Sequence, residues 1–175
     1  MIFGFAATVV TGFALTAVRA WTGLNTPTGK GLLLLVLLWC GARTGAFTGS
    51  FLALLDILFL PIIAIVTGRL IIKAQMYRNL FLPMILTLLG LLNLCFYLSV
   101  LGRISFDTNY IIFASLYLII MIEIIIGNRI IPSFTANAIP GLSQYKNPLL
   151  TKMAITGSVI TFLMLIFYSQ FFINA

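Results

Sequence analysis

The chain contains only three acidic side chains, and two of them lie within apolar stretches. Asp56 lies in LLDILFL and Glu123 lies in IIMIEIIIG. A charged group inside a bilayer costs about 2.5–3.5 kcal/mol on insertion scales, so each needs a partner. Arg43 lies near one end of the preceding apolar run, and a tight turn places it at a depth similar to that of Asp56. We therefore predict an ion pair between Arg43 and Asp56 within the membrane.

The sequence does not specify a single partner for Glu123. Glu123 lies about one turn from the end of its apolar run, and Arg19, Arg69 and Arg129 flank runs that end at the same surface. A pairing that fixes the order of helices is favoured over a proton or ion pathway, because isolated intramembrane charges are usually paired.

The chain has few of the residue types that commonly act in catalysis or bind metal ions. The chain has no histidine, which removes the most common metal ligand and any Ser-His-Asp arrangement. Cys40 and Cys95 lie in separate apolar runs and form no CxxC unit. The segment GLNTPTGKG resembles a phosphate-binding loop, but its glycine spacing is wrong and no strand precedes it. The residues of this chain by themselves therefore predict no catalytic or metal site.

The elements that carry these residues are transmembrane helices. Of the 175 residues 62% are hydrophobic and 7% are charged, whereas soluble domains carry roughly 25% charged residues. The mean hydropathy is +1.18. No apolar run alternates with period two, as a membrane β-strand would. The fold class is therefore all-α, a polytopic bundle of about six spans in one region, residues 1–175. The predicted spans are residues 2–18, 31–48, 50–72, 79–101, 109–127 and 153–173.

The basic residues predict the orientation. With strict alternation, the loops at 19–30, 73–78 and 128–152 share one side of the membrane. That side carries Arg19, Lys30, Arg69, Lys73, Arg78, Arg129, Lys146 and Lys152. The other side carries only Arg43 and Arg103. Basic residues accumulate on the cytoplasmic side, so the three loops are predicted to be cytoplasmic. The scattered basic residues form no patch that would follow a nucleic acid backbone.

The same assignment places Met1 at the outer edge of the first span. We therefore expect at least one further span before it, so that the chain is part of a longer protein or a truncated product. Inside the first span, Gly4, Thr8, Gly12 and Thr16 recur at intervals of four, a spacing that predicts close packing with another helix.

Two of the cytoplasmic loops have unusual compositions. The first, RAWTGLNTPTGKG, combines an interfacial Arg and Trp with turn residues. The second, IGNRIIPSFTANAIPG, has Pro132 where a short helix would begin. Because both loops are predicted on one side, we expect them to converge on a cytoplasmic cap.

These two segments resemble the NnrS family of bacterial membrane proteins. The early motif is matched by Gly12, Phe13, Leu15, Thr16, Ala17, Trp21, Thr22, Gly23, Trp39 and Arg43. The later motif is matched by Arg129, Ile131, Pro132, Phe134, Thr135 and Asn137.

The resemblance implies a multi-span protein of the bacterial inner membrane that contains haem and copper. It implies a role in nitric oxide metabolism, denitrification or resistance to nitrosative stress. The motif residues Arg19, Trp21, Thr22, Gly23, Arg129, Pro132, Phe134, Thr135 and Asn137 would shape the cytoplasmic cap. Family members are about twice this length, and their histidines lie mostly outside the matching region. Tyr97 takes the place of one family histidine, so the haem and copper ligands are not evident in this chain.

Two other functions remain open at this point. One is a transporter-like bundle in which Asp56, Asn93 and Glu123 line a polar path. The other is a cofactor-free scaffold or truncated product, which the absence of histidine favours. The expected partners are the lipid bilayer and either the remainder of a longer protein or another membrane subunit, but no nucleic acid.

Overall fold

The computed structural model describes residues 2–48, 53–139 and 147–173, and these ranges contain helices and turns but no strand. The prediction of an all-α protein is confirmed. The chain divides into two compact units, residues 1–111 and 112–175, which are described separately.

The first unit contains four long helices. They are α1 (Ala7–Thr22), preceded by a π-helical turn (Ile2–Ala6), α2 (Lys30–Thr48), α3 (Ala53–Lys73) and α4 (Phe81–Val100), preceded by a 3-10 turn (Tyr77–Asn79). The α2 helix continues through Arg43 to Thr48, the residue at which the second predicted span ends.

The central element of the first unit is α3, which packs against α1, α2 and α4. Its side chains Leu60, Ile63 and Ile71 are fully buried, as are Leu82, Leu86 and Leu89 of α4. Without a hydrophobic driving force between helices in lipid, such contacts depend on close van der Waals packing. Gly90 of α4 allows such close packing, because a β-carbon there would lie only 2.8 Å from Cδ of Pro61 on α3.

Ring contacts fix the direction of α1 relative to α4. Phe3 lies 5.9 Å from Phe96 between ring centroids, and Trp21 lies 6.5 Å from Phe81. The two helices therefore run antiparallel, and the end of α1 lies at the start of α4. The connections after α1 and before α4 consequently share one end of this unit.

The second unit contains most of α5 (Thr108–Ala138) and α6 (Pro148–Ile173). Both helices begin with a side-chain cap. The Oδ1 of Asp107 accepts from the backbone N–H of Asn109, and the Oδ1 of Asn147 accepts from that of Leu149. Pro148 follows its cap at the first helical position, where a missing N–H has no consequence.

Four helical segments are long and apolar enough to cross a membrane within the described ranges. They are Phe3–Thr22, Leu54–Lys73, Tyr77–Val100 and Thr108–Ala138. The expectation of about six spans is therefore slightly generous. Pro132 lies inside α5 and does not begin a new helix, so the prediction of a separate short helix there is wrong. The helix continues past Pro132 because a proline removes only one backbone hydrogen bond of a helix. The 24 residues of α5 before it are already helical.

Candidate functional site

The first unit holds a buried polar cluster, which we define as Arg43, Asp56, Asn93 and Tyr97. Arg43 on α2 forms an ion pair with Asp56 on α3 through Nη2 and Oδ1. Only 5% of the Asp56 side chain is exposed, against 22% of that of Arg43. The structure thus brings together the two charges that the sequence places at similar depth.

Two side chains of α4 complete the polar cluster from the other side of α3. Tyr97 donates from Oη to Oδ2 of Asp56 over 3.0 Å. Asn93 donates from Nδ2 to the main-chain carbonyl oxygen of Asp56 over 3.1 Å. Because Asn93 and Tyr97 are four residues apart, they share one face of α4. Asp56 is therefore bound from α2 and from α4, and the polar cluster joins three helices.

The π-helical turn at the start of the chain closes over the guanidinium of Arg43. A β-carbon at Gly4 would lie 2.6 Å from Nη1 of Arg43, so a larger residue there would require the guanidinium to shift. Thr8 donates its hydroxyl to the carbonyl of Gly4 over 2.7 Å instead of facing another helix. Of the predicted small-residue stripe, Gly4 is buried in a contact, whereas Gly12 and Thr16 are exposed.

Apart from Nη2 of Arg43, which pairs with Asp56, two buried atoms of the polar cluster have no hydrogen-bond partner among the described residues. They are Nε of Arg43, a donor, and Oδ1 of Asn93, an acceptor. Asn93 is only 1% exposed. An unsatisfied buried polar group costs about 1–3 kcal/mol, so the polar cluster is not optimised for stability alone.

The early motif is divided between two helices, with its residues up to Gly23 on α1 and Trp39 and Arg43 on α2. The α1 helix continues through Arg19 and Trp21 to Thr22 and ends at Gly23, which adopts φ 67° and donates its N–H to the carbonyl of Arg19. The positive φ explains the glycine, because a β-carbon disfavours this conformation. Thr22 accepts from the backbone N–H of Leu24 through its hydroxyl. Arg19 is exposed and Trp21 is half-buried.

The later motif lies in the second unit, on the last turns of α5. Phe134 is 68% exposed and Asn137 is also exposed, while Thr135 donates its hydroxyl to the carbonyl of Ile131. Arg129 is part of the helix. The two motifs lie in different units, so their convergence on a cytoplasmic cap stays a prediction.

Glu123 lies on an exposed face of α5. No described side chain of the second unit pairs with it. It lines an open groove along α5, of about 460 Å³, together with Gly127, Asn128 and Pro132. The predicted pairing of Glu123 with Arg19, Arg69 or Arg129 stays a prediction.

The described residues contain no group of three or more His, Cys, Asp or Glu side chains arranged to hold a metal ion. Cys40 is exposed on α2 and Cys95 is half-buried on α4. These two thiols lie on different helices and form no such group with the carboxylates.

The sequence did not predict that Tyr97 bonds to Asp56 in the polar cluster or that Gly4 lies against Arg43. The four-residue spacing of Asn93 and Tyr97 on an otherwise apolar helix was the available signal. Gly4 carried no signal of its own, because its role depends on where Arg43 places its guanidinium.

The fold and the polar cluster define an α-helical membrane protein whose spans are joined by buried polar contacts. A family model described as NnrS protein matches residues 1–175, the whole chain. The chain belongs to the NnrS family. No curated protein and no solved structure gives a significant match to the chain.

Proposed function

We propose that this chain acts in nitric oxide metabolism and in the bacterial response to nitrosative stress, as an inner-membrane protein of the NnrS type. The observation that carries the proposal is the family match over all 175 residues. The four long apolar helices support the membrane location. The excess of basic residues on one set of loops supports multi-pass insertion with the loops at 19–30, 73–78 and 128–152 in the cytoplasm.

In this proposal the polar cluster has a structural role. It holds α2, α3 and α4 at one depth, because Asp56 is bound from both neighbouring helices. Arg19 and Trp21 of α1 lie at the end of that helix which is remote from Gly4 and the polar cluster. Arg19 and Trp21 would then contribute to a cytoplasmic cap with Arg129, Pro132, Phe134, Thr135 and Asn137 of the later motif.

The haem and copper of the family are not supported by the residues of this chain. Histidine is absent, and the two cysteines lie on different helices. A histidine-ligated haem or copper would therefore need its histidines from outside these 175 residues. We derive no reaction step through either group.

A polar path for transport is less well supported than the structural role. Both carboxylate oxygens of Asp56 are engaged, by Arg43 and by Tyr97, so a passing ion would have to displace one of them. The unpaired Oδ1 of Asn93 is the one observation that favours such a path.

Deletion of the gene in its native host tests the proposed function. We expect the deletion strain to grow more slowly than its parent under a nitric oxide donor, and the cloned gene to restore growth. The control is the same donor after complete decomposition, which should affect both strains equally. Equal growth of the two strains under fresh donor would contradict the proposal.

A further inference from the structure

The Glu123 groove, defined by Ile120, Glu123, Ile124, Gly127, Asn128, Ile131 and Pro132, is formed by α5 alone. It extends over thirteen residues, or about 18 Å of helix. Its volume is about 460 Å³ and it is open along its length. Its walls are isoleucine side chains on either side of Gly127, and Cδ1 of Ile131 lies 3.6 Å from the position that a β-carbon of Gly127 would take.

The polar atoms of the Glu123 groove are mainly hydrogen-bond acceptors. The Glu123 carboxylate is exposed. Asn128 donates from Nδ2 to the carbonyl of Ile124 over 2.9 Å, which leaves its amide oxygen as an acceptor. Pro132 has no N–H, so the main-chain carbonyl of Asn128 cannot receive the usual helical hydrogen bond from that position. A carboxylate beside two carbonyl oxygens favours a cation that donates hydrogen bonds.

Because of the position of Glu123 along α5, its carboxylate is energetically unfavourable when the groove holds no cation. Glu123 is the sixteenth residue of α5, about 22 Å from its start, and the preceding residues are almost all apolar. A carboxylate at this depth is costly unless it is paired. Lipid ammonium groups remain in the headgroup layer, so a cation carried on a protein segment reaches Glu123 more readily.

The Glu123 groove fits a helix better than a compact ligand. Gly127 allows the backbone of a second helix to approach closely, as small residues do at membrane helix interfaces. A symmetric contact between two α5 helices would place like charges together, which disfavours a second copy of this chain.

We propose that the Glu123 groove is the docking surface for a transmembrane helix of another polypeptide that carries a lysine or arginine facing Glu123. The basic side chain pairs with the carboxylate and the carbonyl oxygens of Asn128. The helix backbone packs over Gly127 between the isoleucines. This surface does not depend on the proposed function, because it follows from the geometry of α5.

A synthetic peptide tests this proposal. The purified full chain and a Leu-Ala peptide of about 20 residues are reconstituted into phosphatidylcholine vesicles, and binding is followed by energy transfer. The peptide carries one lysine a turn from its end, and the comparison peptide carries norleucine there. We expect the lysine peptide to bind about tenfold more tightly, since a paired intramembrane charge gains at least about 1.4 kcal/mol.

Two variants place the binding at the Glu123 groove. Glu123→Gln should remove the preference for lysine, and Gly127→Leu should weaken the binding of both peptides. Gly157→Leu is the matched control, because Gly157 is an exposed glycine of α6 with no neighbouring atom within 4 Å. All variants must give the same helical content by circular dichroism.

Several outcomes would overturn the proposal. Equal binding of the two peptides to the wild-type chain would show that charge does not select the occupant. Loss of binding when phosphatidylethanolamine is added would assign the site to a lipid headgroup. Tighter peptide binding by Arg19→Gln or Arg69→Gln would show that the chain itself supplies the cation. Stronger energy transfer between labelled copies of the chain than with the peptide would assign the surface to self-association.

Discussion

Among individual residues, Asp56 makes three polar contacts with neighbouring helices. Its carboxylate binds Arg43 and Tyr97 and its carbonyl binds Asn93, so one short side chain connects α2, α3 and α4. Removing one member of a buried ion pair leaves an uncompensated charge, which destabilises by about 3–5 kcal/mol. Removing both members leaves no charge, so the loss is smaller.

A double-mutant cycle tests this coupling. We expect Arg43→Met and Asp56→Asn each to lower the free energy of unfolding by about 3–5 kcal/mol. The double variant should lose less than either single variant. Unfolding in mixed micelles, followed by tryptophan fluorescence, gives the values.

The control cycle uses Arg103→Met and Asp107→Asn, because both residues are exposed in the connection after α4. Their effects should add within experimental error. Additive effects at Arg43 and Asp56 as well would contradict the coupling.

The sequence predicts the pairing of Arg43 with Asp56 because charges inside apolar runs are few and each needs a partner. It does not predict the hydrogen bond from Tyr97, because a tyrosine is common in apolar runs and needs no specific partner. The contact of Gly4 with Arg43 depends on a π-helical turn, and no local pattern of the chain signals that turn.

Between helices, α3 and α4 approach each other closely at two glycines. Gly90 lies against the ring of Pro61, and Gly68 lies against the ring of Pro83. A glycine on one helix faces a proline on the other at both contacts. The rigid rings fill the space that the missing side chains leave, and they fix the separation of the two helices over several turns.

Substitution of Gly90 tests this packing. In Gly90→Ala, the added methyl group lies 2.8 Å from Cδ and 3.0 Å from Cγ of Pro61, and a proline ring cannot rotate away. We expect a destabilisation of about 1–3 kcal/mol, typical of overpacking. The midpoint of thermal unfolding in detergent should fall accordingly.

Gly12→Ala is the matched control, because no atom lies within 4 Å of a β-carbon at that exposed position of α1. Its midpoint should be unchanged or slightly higher, since alanine favours the helix over glycine. Equal effects at Gly90 and Gly12 would show that the contact with Pro61 is not tight.

Helix positions are the feature that the sequence predicts best, because long apolar runs separated by glycine, proline and basic residues have few alternative structures. The ends are less predictable. The predicted span that contains Glu123 ends at residue 127, yet α5 continues to Ala138, because Pro132 interrupts only one hydrogen bond.

For the whole molecule, the distribution of basic residues and the geometry of the first unit agree. Trp21 at the end of α1 contacts Phe81 at the start of α4, so the connections around Thr28 and Met76 lie at one end. Ser99 and Phe106 mark the opposite end, where the hydroxyl of Ser99 donates to the carbonyl of Phe106 over 2.6 Å. Positive-inside orientation predicts that the first of these ends is cytoplasmic.

Labelling of single cysteines tests the orientation. In a Cys40→Ser/Cys95→Ser background, we expect Ser105→Cys to react with a membrane-impermeant maleimide in intact cells. Thr28→Cys and Met76→Cys should react only after the inner membrane is permeabilised. All three positions are exposed, so burial does not limit the reaction. The reverse pattern would show that the basic loops are periplasmic.

The length of α5 has a consequence for the surrounding lipid. Its 31 residues extend about 46 Å, whereas the hydrocarbon core is about 30 Å thick. Such hydrophobic mismatch is relieved by tilting of the helix, by local thickening of the bilayer, or by extension of the helix into the headgroup layer. The polar residues from Asn128 onward favour the last of these. The later family motif would then be held above the hydrocarbon on a continuous helix, with its height set by the thickness of the membrane.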